Sequence, residues 1–142
     1  MISLILPSYK GSSILENQLP SLIDFLNKHD EKYEIIIVDD GSLDNEQTKK
    51  TAEKYNCIYL ENEKNLGKGA AVRKGVLESN GDYIIFTDVD IPFKYTALEN
   101  FYRYLSFKEF DIVIGDRTLE KSEYFEDISK WRKFGSAVFS FI

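Results

Sequence analysis

Apolar residues gather in five short runs, "ISLILP", "YEIIIVDD", "CIYLEN", "DYIIFTD" and "FDIVIGDR", separated by longer polar or amphipathic stretches. That rhythm predicts strands alternating with helices in βαβ units. The runs are nearly continuous in apolar residues and do not alternate with polar ones, which suits parallel strands covered on both faces. The expected fold is therefore a doubly wound, Rossmann-like α/β layer. Between the runs, Leu15, Leu19, Leu22 and Leu26 recur at helical spacing, as do Leu98, Phe101, Tyr102 and Leu105, and both stripes are expected to face the core. Pro20 is expected near a helix start or at a kink, Asp44 followed by Gln47 predicts a capped helix start, and Gly81 is expected to end the third helix.

Beyond the fifth run the pattern changes. "LEKSEYFEDISK", residues 119–130, is charged and lacks strand character, and a mobile loop is expected over 118–127. In "ISKWRKFGSAVFSFI", Ile128, Trp131, Phe134, Val138 and Phe141 fall near one helical face beside Lys130, Arg132 and Lys133. This predicts a helix that packs on the sheet, or a basic amphipathic surface facing lipid or an oligomer partner.

Composition narrows the class. A chain of 142 residues, 43% hydrophobic and 30% charged, fits one soluble domain over 1–142, and no apolar run approaches the roughly 20 residues of a membrane span. "MISLILP" lacks a basic leader and a cleavage site, so a cytoplasmic protein is expected. One cysteine, Cys57, and one histidine, His29, exclude an internal disulfide and a histidine-rich metal site. A net charge of −6 disfavours nucleic acid as a partner, and any anionic ligand would need a bridging cation.

In open α/β sheets, ligands gather beyond the carboxyl ends of the strands. The residues there are Pro7, Ser8 and Tyr9, then Asp39 and Asp40, then Asp88 and Asp90, then Asp116 and Arg117. A lone aspartate is explained by solvation or capping; their recurrence at one rim is not. Asp88 and Asp90, read as an extended segment, would share a side and repel unless a hard divalent cation, Mg²⁺ or Mn²⁺, bridges them to phosphate oxygens. "NLGKGAAVRKG" adds Gly67 and Gly69 around Lys68 at a predicted helix start, where backbone and a cation could meet an anion. Close helix packing would also explain these glycines. The spacing excludes a Walker loop, and Val72 stands where a dinucleotide fingerprint needs its third glycine.

Taken in order, "ILPSYKG", "IIIVDDGSLD", "NEKNLGKGAAVRKGV", "GDYIIFTDVDIP" and "VIGDR" resemble family 2 glycosyltransferases of the A-type fold over about residues 2–117, nearest to those that charge polyprenyl or dolichyl phosphate with a hexose. The resemblance implies that Pro7, Ser8 and Tyr9 line a nucleobase pocket and that Asp39 or Asp40 binds base or ribose. It further implies that Gly67, Lys68 and Arg73 flank the nucleotide. Asp88 and Asp90 would hold ribose and a metal-bound diphosphate, with Arg117 on phosphate or sugar. The implied donor is a nucleoside-diphosphate sugar, UDP-linked before GDP-linked, and the implied reaction inverts the anomeric centre. Lipid-phosphate mannosyl enzymes often place glutamine where this chain has Pro92, so mannosyl transfer is not favoured. Members usually continue well past position 142, so a C-terminal truncation is expected. The competing readings are a silent sugar-nucleotide-binding module and a phosphohydrolase with Asp88 as nucleophile and Asp90 as acid. The latter favours a DxDx[TV] motif, whose last place Pro92 occupies.

Overall fold

A computed structural model describes residues 1–44, 46–107 and 110–116. In chain order these form β1 (Ile2–Ser8), α1 (Ser12–Leu26), β2 (Tyr33–Asp39), α2 (Gln47–Lys54), β3 (Ile58–Glu61), α3 (Lys68–Glu78), β4 (Tyr83–Phe86) and α4 (Thr96–Ser106). The four strands are parallel in the order β3-β2-β1-β4. The chain winds outward from β1 through β2 to β3 and then returns to place β4 on the other side of β1. Strand order reverses between β1 and β4, and a crevice opens there beyond their carboxyl ends.

The α1 side of the sheet and the centre of its other face are dry, which is why the β1 and β2 runs are continuous; on the β3 and β4 edges Ile58, Ile84 and Phe86 stay exposed. Leu4, Leu6, Ile35, Ile37 and Ile85 share one core cluster with Leu15, Leu19, Leu22 and Leu26 of α1, Ala52 of α2 and Leu98 of α4. Ile5, Ile36 and Val38 face the other way, under Ala71 of α3. α3 can lie close because Gly75 faces the sheet: a Cβ there would stand 2.6 Å from Ile5 Cγ2. Each fully buried Leu or Ile contributes about 1.5–3 kcal/mol of burial, so the α1 stripe anchors its helix even though Pro20 lies inside it. Pro20 is exposed, away from that stripe, and lies inside α1, which continues through it, so it does not mark a helix start. The cap position of α2 falls on Glu46, not on the expected Asp44, yet Asp44 still serves the first turn: its Oδ2 accepts from the Thr48 N–H at 3.1 Å and the Thr48 hydroxyl at 2.6 Å.

Two expectations change. Gly81 does not end α3, which stops at Glu78; it is needed because β1 passes close by, and a Cβ would meet Ser3 Oγ at 2.5 Å. The fifth apolar run forms no strand over residues 110–116, where Ile112 and Ile114 are 76% and 81% exposed. A strand exists only with a partner edge, and over the described residues β4 pairs with β1 alone. The α4 stripe faces the core as expected, with Leu98 fully buried, Phe101 packed against the same cluster, and Tyr102 and Leu105 half-buried. The expected loop at 118–127 and the amphipathic segment 128–142 lie outside the described residues.

Candidate functional site

The crevice between β1 and β4 is bordered by the turn after β4. Thr87 still donates to the Ile5 carbonyl at 3.2 Å, and then the Ile91 N–H bonds the Asp88 carbonyl at 3.0 Å, closing a turn over 88–91. Asp88 and Asp90 therefore stand on a turn and not on the extended segment expected from the sequence. Ile91 holds φ +41, a conformation β-branched residues avoid at a cost of about 1–3 kcal/mol. Its side chain is buried in the α1-side core, which offsets that cost and pins the turn. Val89 packs against the same core, so in "DVDI" the apolar residues point inward while Asp88 is half exposed and Asp90 exposed.

The β1–α1 loop meets this turn. A Cβ on Gly11 would stand 2.8 Å from Ser8 Oγ and 3.3 Å from Val89 Cγ2, so the absence of a side chain lets the two segments approach. Ser8 is buried, and its hydroxyl is a buried side-chain polar atom with no hydrogen-bond partner among the described residues. Tyr9 is 49% exposed, and Pro7 is buried in β1.

The acidic pair after β2 behaves differently. Asp39 and Asp40 are each 3% exposed. Asp39 Oδ1 accepts from the Ser42 N–H at 3.0 Å and from the Ser42 hydroxyl, while Tyr59 donates to Oδ2 at 3.2 Å. Burial and the adjacent Asp39 push the Tyr59 hydroxyl well above the ordinary tyrosine range. Asp40 Oδ1 accepts from Asn62 Nδ2 at 2.7 Å and the Leu66 N–H at 3.0 Å, and Oδ2 from the Gly67 N–H at 2.7 Å. Burial alone would raise the Asp40 carboxyl; the Asn62, Leu66 and Gly67 donors outweigh it and hold the group below the usual carboxylate range. Gly41, at φ +70, passes beneath the same loop, where a Cβ would lie 2.5 Å from the Lys64 carbonyl carbon.

Asp40 thus sets where α3 begins. Gly67 precedes the helix at φ +91, and the next residue, Lys68, extends Nζ to Asp88 Oδ1 at 2.6 Å. Added Cβ atoms on Gly67 and Gly69 would meet nothing within 4 Å, so close helix packing does not account for them; Gly75 carries that role. Arg73 is exposed on the β3 side of α3, lining a hollow of about 280 Å³ with Asn62, Leu66 and Lys74, and is not gathered with Lys68 and Asp88. Arg117 lies outside the described residues. An apolar cavity of about 200 Å³ at the opposite end of the sheet, bounded by Ile2, Phe25, Leu98 and Tyr102, contains none of the candidate residues. Burial raises the Cys57 thiol to about 11, so it offers no thiolate at neutral pH, and His29 packs on the Phe25 ring at 4.7 Å.

Among the described residues, no group of three or more His, Cys, Asp and Glu is assembled as a metal site. Asp88 and Asp90 offer hard oxygens at the rim with one side in solvent. That set fits Mg²⁺ or Mn²⁺ sharing its shell with water or ligand oxygens, and it does not fit a closed structural site. Sequence reasoning missed Gly11, Ser42 and Asn62, which shape the rim. Only Asn62, a polar residue directly after an apolar run, carried a signal.

Comparisons with known proteins agree with this architecture. A dolichyl-phosphate beta-glucosyltransferase of Dictyostelium discoideum is 35% identical over 132 residues, 82% of this chain and 40% of that protein. One from Mus musculus is 32% identical over 99% of this chain and 48% of its own length, so the chain spans less than half of these relatives. Two solved structures share the fold. A mannosyltransferase of Pyrobaculum calidifontis, in complex with GDP-Man and Mn²⁺, has a TM-score of 0.59 at 20% identity, over 74% of this chain and 32% of that one. Glucosyl-3-phosphoglycerate synthase of Mycobacterium tuberculosis, with Mn²⁺, UDP and glucosyl-3-phosphoglycerate, has a TM-score of 0.59 at 24% identity, over 74% and 39%. The family model for Glycosyl transferase family 2 matches residues 3–141, and the chain belongs to that family.

Proposed function

We propose that this chain is the donor-binding part of a metal-dependent, inverting hexosyltransferase that takes UDP-glucose and delivers the sugar to a polyprenyl phosphate at the cytoplasmic face of a membrane. The observation that carries this reading is the placement of Asp88, Asp90 and Lys68 at the β1/β4 switch point of a family 2 domain. The glucosyl donor and lipid-phosphate acceptor are supported by the dolichyl-phosphate beta-glucosyltransferases it resembles. Among the described residues no helix is long and apolar enough to cross a membrane.

In this reading the acceptor phosphate oxygen attacks the anomeric carbon, the bond from that carbon to the β-phosphate oxygen breaks, and the charge departs on the nucleoside diphosphate. A phosphate nucleophile is already anionic, so no strong base is required. A divalent cation held by Asp88 and Asp90 would neutralise the leaving diphosphate. Lys68 would add positive charge beside it, a role the family resemblance also assigns to Arg117. Pro7, Ser8 and Tyr9 border the base. Asp39, whose Oδ2 takes a single 3.2 Å bond from Tyr59, retains acceptor capacity for base or ribose, whereas Asp40 positions the start of α3. Arg73, which lines the hollow with Asn62 and Lys74, would reach the nucleotide only at its outer margin.

Calorimetric titration of UDP and GDP, each with Mn²⁺ and with EDTA, tests the reading. Metal-dependent binding of UDP is the expected result. Metal-dependent binding of GDP alone would replace the donor with a GDP-sugar, and binding of neither would sink the donor site.

A further inference from the structure

The Lys68–Asp88 pair is made by two of the residues that the diphosphate and its metal would use. Lys68 Nζ stands 2.6 Å from Asp88 Oδ1, with the side chains 53% and 48% exposed. A divalent cation binding Asp88 would have to enter against that ammonium, which either repels it or must move. An exposed pair of this kind biases an equilibrium by a factor of about five or less, so it is weak enough to be exchanged. The lysine also has somewhere to go. It is the first residue of α3, flanked by Gly67 and Gly69, around which there is open space for an anion at the helix start. Its backbone cannot follow the ammonium away, because Asp40 holds the preceding Gly67 N–H at 2.7 Å.

We infer that Lys68 is an exchangeable counter-ion: it neutralises Asp88 before the donor arrives and passes to the diphosphate when the metal takes the carboxylate, so that metal and nucleotide bind as a unit. This inference rests on the donor-site reading above and adds an order of entry to it. Bare metal loses the Lys68 contact and gains no replacement for it. Metal together with a diphosphate gives the ammonium a new anion, so each ligand tightens the other, and the coupling is reciprocal.

The test compares the chain with Lys68→Met, which keeps length and removes charge, and with Lys68→Arg, which keeps charge. Free Mn²⁺ is followed by electron paramagnetic resonance without nucleotide, and UDP affinity is measured with and without Mn²⁺. The expected result is that Lys68→Met binds Mn²⁺ alone about two- to fivefold more tightly while the factor by which Mn²⁺ tightens UDP falls by about the same factor or more. Lys68→Arg should retain the coupling. Adding Asp88→Asn to Lys68→Met should abolish the gain in Mn²⁺ affinity, which locates it at this carboxylate. Equal Mn²⁺ affinity with and without the Lys68 charge, whether measurable or nil, overturns the exchange. Failure of the unaltered chain to bind UDP with metal is a separate result, and it counts against the donor site itself.

Discussion

At the same rim of one sheet, Asp40 and the pair Asp88 and Asp90 are used in opposite ways. Asp39 and Asp40 are buried and surrounded by neutral donors, and Asp40 alone joins the end of β2 to Asn62, Leu66 and Gly67. Asp88 and Asp90 sit on a turn pinned by Val89 and Ile91, half exposed and exposed, with Lys68 on Asp88. Residue type does not separate the pairs; the supply of donors does. A carboxylate whose lone pairs are filled by backbone N–H groups is a building part, and one that faces solvent beside a single mobile cation is available to a ligand.

The largest effect should come from the buried pair. Asp40→Ala strands the buried Asn62 amide and unties the part-buried Leu66 and Gly67 N–H groups, the latter keeping only its 3.1 Å bond to Asn65 Oδ1, and a buried donor left unpaired costs about 1–3 kcal/mol. A loss of about 3 kcal/mol or more in urea unfolding is expected, with metal-dependent UDP binding lost as well because Lys68 is no longer placed. Unchanged stability would refute a structural role for this carboxylate. The same group sets an acid limb. Its pKa is lower folded than unfolded, so the stability it supplies is complete above the unfolded value, near 3.8, and drains away as pH falls through the lower folded one. Asp40→Asn should flatten the stability-against-pH curve in that acid window, measured as the urea midpoint from pH 5 downward.

How far these roles were visible beforehand depends on distance along the chain. The α1 stripe and four strands follow from local periodicity, because each run's own residues decide its burial. The candidate rim also followed, since parallel strands bring their carboxyl ends together whatever the loops do. Asp40 was singled out for ligand binding, but the donors that fill it lie 22 to 27 residues away and no local pattern announces them. "FDIVIGDR" misled for a related reason: an apolar run specifies a strand only when an edge pairs with it. The turn at 88–91 was hidden because burying Ile91 outweighs the φ preference that argues for continued extension.

The exposed pair should respond in function and not in stability. Asp90→Asn keeps the side chain's shape in an exposed position, so unfolding should stay within about 0.5 kcal/mol of the parent. Mn²⁺-dependent UDP affinity should fall at least about tenfold, roughly 1.4 kcal/mol. If stability fell as far as in Asp40→Ala, the two pairs would be doing the same work and the division drawn between them would be wrong.

The smallest change asks what Gly69 is for. It lies in the first turn of α3, its φ is outside the left-handed region, and a Cβ there would touch nothing within 4 Å. Replacing glycine by alanine inside a helix without strain is favourable by about 0.5–1 kcal/mol, somewhat less near an end. Gly69→Ala should therefore leave the fold unchanged or slightly more stable in urea. If the diphosphate approaches the helix start beside Lys68, the added methyl group takes up room the ligand needs, and UDP affinity with Mn²⁺ should drop a few-fold. A gain in stability with unaltered UDP affinity would place the nucleotide away from the first turn of α3, leaving Asp88 and Asp90 to hold it from the other side of the crevice.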